Sequence, residues 1–265
     1  ANSALTFTTT SFEAGGYQLQ VEAGTYQVTF SGDLDGDSNI DEPVTQQVTI
    51  GSQNVKLDVV SGTVIECFLA GTRILTDRGE VPVEELHMGD RVQTADGTLE
   101  PIKWIGKQTI QPNQVKNPLR GYPILIKAGA LGDGLPYRAL YTSPDHALLV
   151  EGLLINAGAL VNGVSILKTT PTEPFTYYHI ELHQHSLLVA EGTAAESYLP
   201  QRESRDWYDN GAEYKTLYPN NGALVYWPMQ YPRVSSQRQM PRYIHKKLMV
   251  IAKSLGQARG MLRAS

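Results

Sequence analysis

The chain has 265 residues, 41% of them hydrophobic and 18% charged, with a net charge of −5. That balance excludes a disordered chain, which would be richer in charge, and the absence of any apolar run of about 18 residues predicts no membrane-spanning helix. Its one cysteine, Cys67, excludes an internal disulfide and a cysteine-based zinc cage, so the thiol is either buried filler or a working group.

Charge divides the chain. Residues 1–66 carry nine acidic side chains against one basic, Lys56, whereas the remainder is net positive. Two units are therefore expected, the acidic one a poor partner for nucleic acid or an anionic membrane. Ala1 opens with neither Met nor a signal-peptide pattern, so the chain is expected to belong to a longer one.

The first unit reads as strands. Tyr17, Leu19 and Val21 alternate with polar residues, followed by Tyr26, Val28 and Phe30, by Val48 and Ile50, and by Val55, Leu57 and Val59. Turn signals at Ala23-Gly24, Asp35-Gly36 and Gly51-Ser52 separate them, and a small β-sandwich over residues 1–64 is expected. The stretches Ala23-Gly24-Thr25-Tyr26 and Asn54-Val55-Lys56-Leu57 resemble transthyretin-like or carboxypeptidase-regulatory-like modules of bacterial secreted proteins. Asp33, Asp35, Asp37, Asn39 and Asp41 alternate like a calcium loop, but Ser38 and Val44 stand where such a loop has Gly and Glu. A solvated hairpin tip is the preferred reading.

Residues 65–200 have the same strand texture with no convincing helix, predicting a second all-β domain. Residues 201–265 form an extension, irregular and rich in Tyr, Pro and Asn up to Met240. A helix is predicted from Pro241, because Ile244, Leu248, Ile251 and Leu255 recur at helical spacing. Six Lys or Arg and no acid follow Pro241, which reads as a surface helix packing one apolar stripe rather than as a membrane anchor.

Three blocks carry chemistry. The first is Cys67-Phe68-Leu69-Ala70-Gly71-Thr72-Arg73-Ile74, followed by Gly89-Asp90-Arg91-Val92 and by a turn at Trp104-Ile105-Gly106. The second is Ser143-Pro144-Asp145-His146, and the third runs from Tyr177-Tyr178-His179 through His183 and His185 to Gly192. Alone, each has a bland reading: a buried small hydrophobe, a structural histidine, a histidine-bearing strand. Three histidines at alternate positions could also face a metal, but no cysteine or fourth ligand accompanies them.

In this order and spacing the blocks resemble the Hint domain, the fold of inteins and Hedgehog C-terminal domains, and specifically its bacterial, Hedgehog-like branch. The resemblance implies a horseshoe-like all-β fold, secretion or display at a bacterial cell surface, and single-turnover autoprocessing without cofactor or metal. Cys67 would attack the carbonyl of Glu66 in an N-to-S acyl shift, leaving a thioester and a free amino group. Ser143, replacing the family threonine, would hydrogen-bond the scissile amide or the oxyanion, and His146 would protonate the leaving nitrogen. His185, and less directly Asp145, would activate water, a thiol or an amine as the second nucleophile. Glu196 and Ser197 occupy the His and Asn slots of splicing inteins, so no asparagine can cyclise and splicing is not expected. Two other readings stay open: a Cys-His peptidase acting in trans, and a non-catalytic secreted β-rich adhesive module.

Overall fold

The computed structural model describes residues 20–32, 41–50, 66–115, 121–199, 204–219, 229 and 231–262. The chain divides into two compact units, Ala1–Gly62 and Thr63–Ser265. In the first, the strand Gly24–Gly32 pairs antiparallel with Asp41–Ile50, Tyr26 opposite Val48 and Phe30 opposite Val44. Tyr26, Val28 and Phe30 are half-buried while Thr25, Gln27 and Thr29 are exposed, the alternation that a strand with one covered face requires. The strand expected at residues 55–59, the run from there to Glu66, most of that at residues 17–21 and most of the acidic loop at residues 33–41 lie outside the described residues.

The second unit is built on two sheets. A six-stranded sheet runs, in spatial order, Ile166–Lys168, Ile124–Ile126, Leu140–Thr142, Phe68–Leu69, Phe175–Glu181, Trp104–Ile110. The other runs Arg233–Val234, Leu153–Asn156, Ala147–Val150, Thr193–Glu196, Leu187–Ala190, Arg73–Thr76, Arg91–Gln93, Leu99–Pro101, with Gly79–Pro82 paired to Arg73–Thr76. Two of its hairpins turn on Glu-Gly pairs with positive φ at both residues, Glu151-Gly152 (51° and 76°) and Glu191-Gly192 (49° and 78°). Such two-residue turns carry the right-handed twist of the flanking strands and fix their register. The fold is mainly β, as the strand texture predicts, although one helical turn, Ala157–Leu160, interrupts the segment read as helix-free.

A main core gathers Phe68, Ile74, Ile124, Ile126, Leu148 and Ile180 with Ile244 and Leu248 of the C-terminal helix Arg242–Leu262. That helix starts one residue after Pro241, whose carbonyl accepts the His245 N–H at 3.1 Å, and it buries Ile244, Leu248 and Ala252. Its Ile251 lies over Gly132, where a Cβ would sit 3.3 Å from the Ile251 side chain. A second, aromatic cluster holds Cys67, Trp104, Tyr177, Tyr198, Tyr208 and Tyr214. Trp104, Ile105 and Gly106 belong to the strand Trp104–Ile110 and not to a turn: their paired partners are Glu181, Ile180 and His179. No described helix is long and apolar enough to cross a membrane.

Candidate active site

The pairing of one short strand assembles the site. Phe68 is paired with Thr142 on one side and with Tyr178 on the other, so the residue before Phe68 meets those just after Thr142. Ser143 N–H donates to the Cys67 carbonyl at 2.9 Å, and Cys67 N–H donates to Ser143 Oγ at 2.8 Å. The hydroxyl that the sequence offered either to the amide or to the oxyanion therefore sits on the Cys67 amide nitrogen. Cys67 is fully buried, and burial raises its thiol far above the ordinary range, with Tyr208 opposing.

His146 reaches the same place through the tight turn after Ser143, its ring 4.3 Å from that of Phe68 and 5.3 Å from that of His179. Burial, with Arg233 adding to it, lowers its pKa to about 3, so it rests neutral. Neither ring nitrogen has a hydrogen bond of normal geometry among the described residues, although the backbones of Glu66 and Glu196 lie close enough to favour the charged form. A neutral imidazole with both nitrogens open can accept one proton and release another.

On the Glu66 side of the peptide, acidic and basic groups gather around Arg233. Arg233 contacts Glu66 Oε1 at 3.5 Å and Asn156 Oδ1 at 3.0 Å through one nitrogen, and Glu196 Oε2 through another. Glu196 Oε1 accepts the Ala147 N–H at 2.6 Å. Burial, reinforced by Glu196, holds Glu66 above the carboxylate range, and burial does the same to Glu196 against the pull of Arg233. His185 Nε2 lies 3.7 Å from Glu196 Oε2 while its Nδ1 accepts the Met229 N–H at 3.4 Å, and burial lowers its pKa to about 4. Asp145 is half-buried and accepts from Asn156 Nδ2 at 3.4 Å, which puts it with this charged group.

Cys67 and Ser143 thus meet at the Cys67 amide nitrogen, His146 lies against Phe68 and near the backbones of Glu66 and Glu196, and His185 and Asp145 belong to the group around Glu196 and Glu66. His183 is exposed whereas His179 and His185 are buried, so the alternating histidines do not share one face of a site. Ser197 is closed into a local pairing, its Oγ accepting the Ser186 N–H at 3.0 Å. Three neighbours were not singled out from sequence. His179 lies beside Tyr178 in the strand that flanks Cys67, Tyr208 puts its hydroxyl 3.7 Å from Cys67 Sγ, and Arg233 comes from a two-residue strand parallel to Leu153–Asn156. Gly106 lies in a strand, where glycine can mark a close approach, and a Cβ there would lie 2.6 Å from the Tyr208 ring; read as a turn, it did not lead to Tyr208.

Comparison with known proteins gives the same segment. No curated protein matches the chain. Among solved structures it is similar to a bacterial intein-like domain from Clostridium thermocellum, at 15% identity and TM-score 0.39 over 51% of this chain and 99% of that one. It is also similar to the gp41-1 intein (18% identity, TM-score 0.36, 49% and 96% covered) and to the MchDnaB-1 intein (12% identity, TM-score 0.37, 49% and 99% covered). The family model for the Hint domain matches residues 66–202, which is more than half of the chain and takes in Cys67, Ser143, His146 and His185. The chain belongs to the Hint domain family.

Proposed function

We propose that the second unit cuts its own chain before Cys67 by an N-to-S acyl shift and does not splice, as in the Hedgehog-like branch of the family. The observation that carries this reading is the 2.8 Å hydrogen bond from the Cys67 amide to Ser143 Oγ, formed at a cysteine with no exposed surface. A peptidase acting in trans needs its nucleophile open to a foreign peptide, and its nucleophile's own amide has no part in the chemistry. Here the amide is held by a side-chain hydroxyl and the thiol has no exposed surface.

The proposed steps are these. Cys67 Sγ adds to the Glu66 carbonyl, Ser143 steadies the nitrogen, and His146 gives that nitrogen a proton as the C–N bond breaks. The product is a thioester of Glu66 with Cys67 and a free α-amino group. Water, a thiol or an amine then takes the acyl group, with His185 and its neighbour Glu196 beside the acyl residue to accept the incoming nucleophile's proton. Glu196 and Ser197, engaged with Ala147 and Ser186, offer no side-chain amide for cyclisation, which supports release without ligation.

The purified chain is incubated at several concentrations and its products are weighed by intact-mass spectrometry. A first-order rate independent of dilution, with one cut before Cys67, is expected, whereas a rate proportional to concentration favours cleavage in trans. A marker protein fused after Ser265 extends the test, since recovery of residues 1–66 joined to the marker would mean splicing.

A further inference from the structure

The acyl shift leaves open where the thiol proton goes. Burial keeps Cys67 protonated, so attack requires a base, and the proposed role of His146 is to protonate the leaving nitrogen. Among the described residues the hydrogen-bonding side chain offered to Cys67 Sγ is Tyr208, with its Oη at 3.7 Å. The same oxygen lies 3.2 Å from His179 Nδ1, and His179 is fully buried with no partner on Nε2 among the described residues.

Tyr208 lies beyond residues 66–202 yet is held from several directions. Its ring meets Trp104 edge-on at 5.5 Å and Tyr198 at 5.7 Å. The turn that carries it is clamped to the strand Trp104–Ile110: Asp209 N–H donates to the Lys107 carbonyl at 2.8 Å, Lys107 N–H to Asn210 Oδ1 at 2.9 Å, and Thr109 N–H to Asp209 Oδ2 at 2.8 Å. Before it, Arg205 grips both oxygens of buried Glu181 at 2.8 and 2.9 Å, alongside Lys103 at 2.7 Å. Such anchoring fixes a hydroxyl to within the tolerance that proton transfer needs.

We propose that Tyr208 is a catalytic residue of the acyl shift, a hydroxyl that takes the Cys67 thiol proton while passing its own to His179. The proposal rests on the acyl shift set out above. As the S–C bond forms, the S–H proton moves to Tyr208 Oη and the Tyr208 proton moves to His179 Nδ1, leaving an imidazolium and a tetrahedral oxyanion. His179 and His146 are not hydrogen-bonded at rest, their ring centroids lying 5.3 Å apart, so the rings close before His179 releases its Nε2 proton to His146; His146 then releases a proton from its other nitrogen to the Cys67 nitrogen, the C–N bond breaks, and the oxyanion returns to a carbonyl. Protons and charge balance, and Tyr208 never becomes a phenolate. Burial raises Tyr208 and lowers His179, so both rest neutral; the same burial disfavours the imidazolium, which must pass its proton on.

The test compares Y208F, H179Q and the double variant with the native chain, using the first-order rate of thioester formation read by hydroxylamine trapping. Gln keeps an acceptor for the Tyr208 hydroxyl but cannot hold the proton. Each single change should slow the shift about 100-fold or more. Because both residues serve one proton path, the double variant should be no more than about threefold slower than the slower single. A Y208F rate within about threefold of native, or a double variant slowed by the product of the two single effects, overturns the relay. An inactive native chain sinks the acyl shift and takes the relay with it, whereas an active native chain with unaffected Y208F sinks the relay alone. If near-UV circular dichroism finds Y208F unfolded, rates of the native chain in mixtures of light and heavy water decide. A curve bowed below a straight line supports two protons in flight, and a straight line overturns the proposal.

Discussion

The two sides of the Cys67 peptide are made of opposite materials. On the thiol side stand Cys67, Tyr208, His179, Trp104 and Tyr198, a buried aromatic group whose titratable members rest neutral. The acyl side has Glu66, Glu196 and His185 gathered and cross-linked around the Arg233 charge, with Arg233 about one-third exposed and burial favouring the neutral forms of the two carboxyls and the imidazole. A low-dielectric pocket makes a bare thiolate costly and so demands that the proton leave as the S–C bond forms. The charged side can hold the acyl residue still and receive a polar nucleophile. One face suits formation of the thioester and the other its removal.

Changes on the thiol side should stop or slow formation, those on the acyl side resolution. Cys67→Ala removes the nucleophile and should abolish cleavage, read as a single intact mass after prolonged incubation. His146→Ala should slow thioester formation by about 10³-fold. His185→Ala should leave formation within a few-fold of native while hydroxylamine-sensitive thioester accumulates. If His185→Ala blocked trapping as severely as His146→Ala, the division between the two sides would be wrong. Ser143→Ala should be milder than His146→Ala, about 100-fold, as for the loss of one oriented hydrogen-bond partner at a reacting centre.

Smaller effects concern stability. Arg233→Met strips the counter-charge from two buried carboxylates and should cost about 2 kcal/mol near neutral pH, below the usual figure for breaking a buried pair because Arg233 is partly exposed. Glu66 and Glu196 have pKa values raised by folding, so their neutral forms favour the native state and stability declines as pH rises through those values. Urea titrations should therefore find the Arg233→Met deficit growing from pH 5 to pH 9 (roughly the range around the raised carboxylates), and a deficit that shrinks would contradict the ion-pair account. The histidines work on the acid side. His146 and His185 fall from an ordinary 6.5 to about 3 and about 4, so the unfolded chain binds more protons as pH drops. Stability is whole above about pH 6.5 and is lost as pH falls toward those lower values. His146→Gln should flatten that loss in acid-denaturation curves.

Local sequence carried much of this. Cys67, Ser143 and His146 were legible because each sits in a short block, and the alternation of Tyr26, Val28 and Phe30 gave a strand whose covered face the structure repeats. The helix after Pro241 followed from its spacing. Tyr208 and Arg233 were not legible, since their contacts to Cys67 and Glu66 span 141 and 167 residues and both come from a stretch without periodicity. His179 was read as part of a strand, and only the pairing of Tyr178 with Phe68 reveals that the next residue reaches the nucleophile's surroundings. Trp104-Ile105-Gly106 was read as a turn because glycine usually breaks a strand, whereas here it makes room for the Tyr208 ring.

The most direct test of the central claim is to incubate the purified native chain with and without hydroxylamine and weigh the products. The account predicts residues 1–66 carrying a hydroxamate on the main-chain carbonyl carbon of Glu66, together with a partner fragment that begins at Cys67, and neither from Cys67→Ala. An intact native chain under hydroxylamine, or a cut at any other bond, would contradict it.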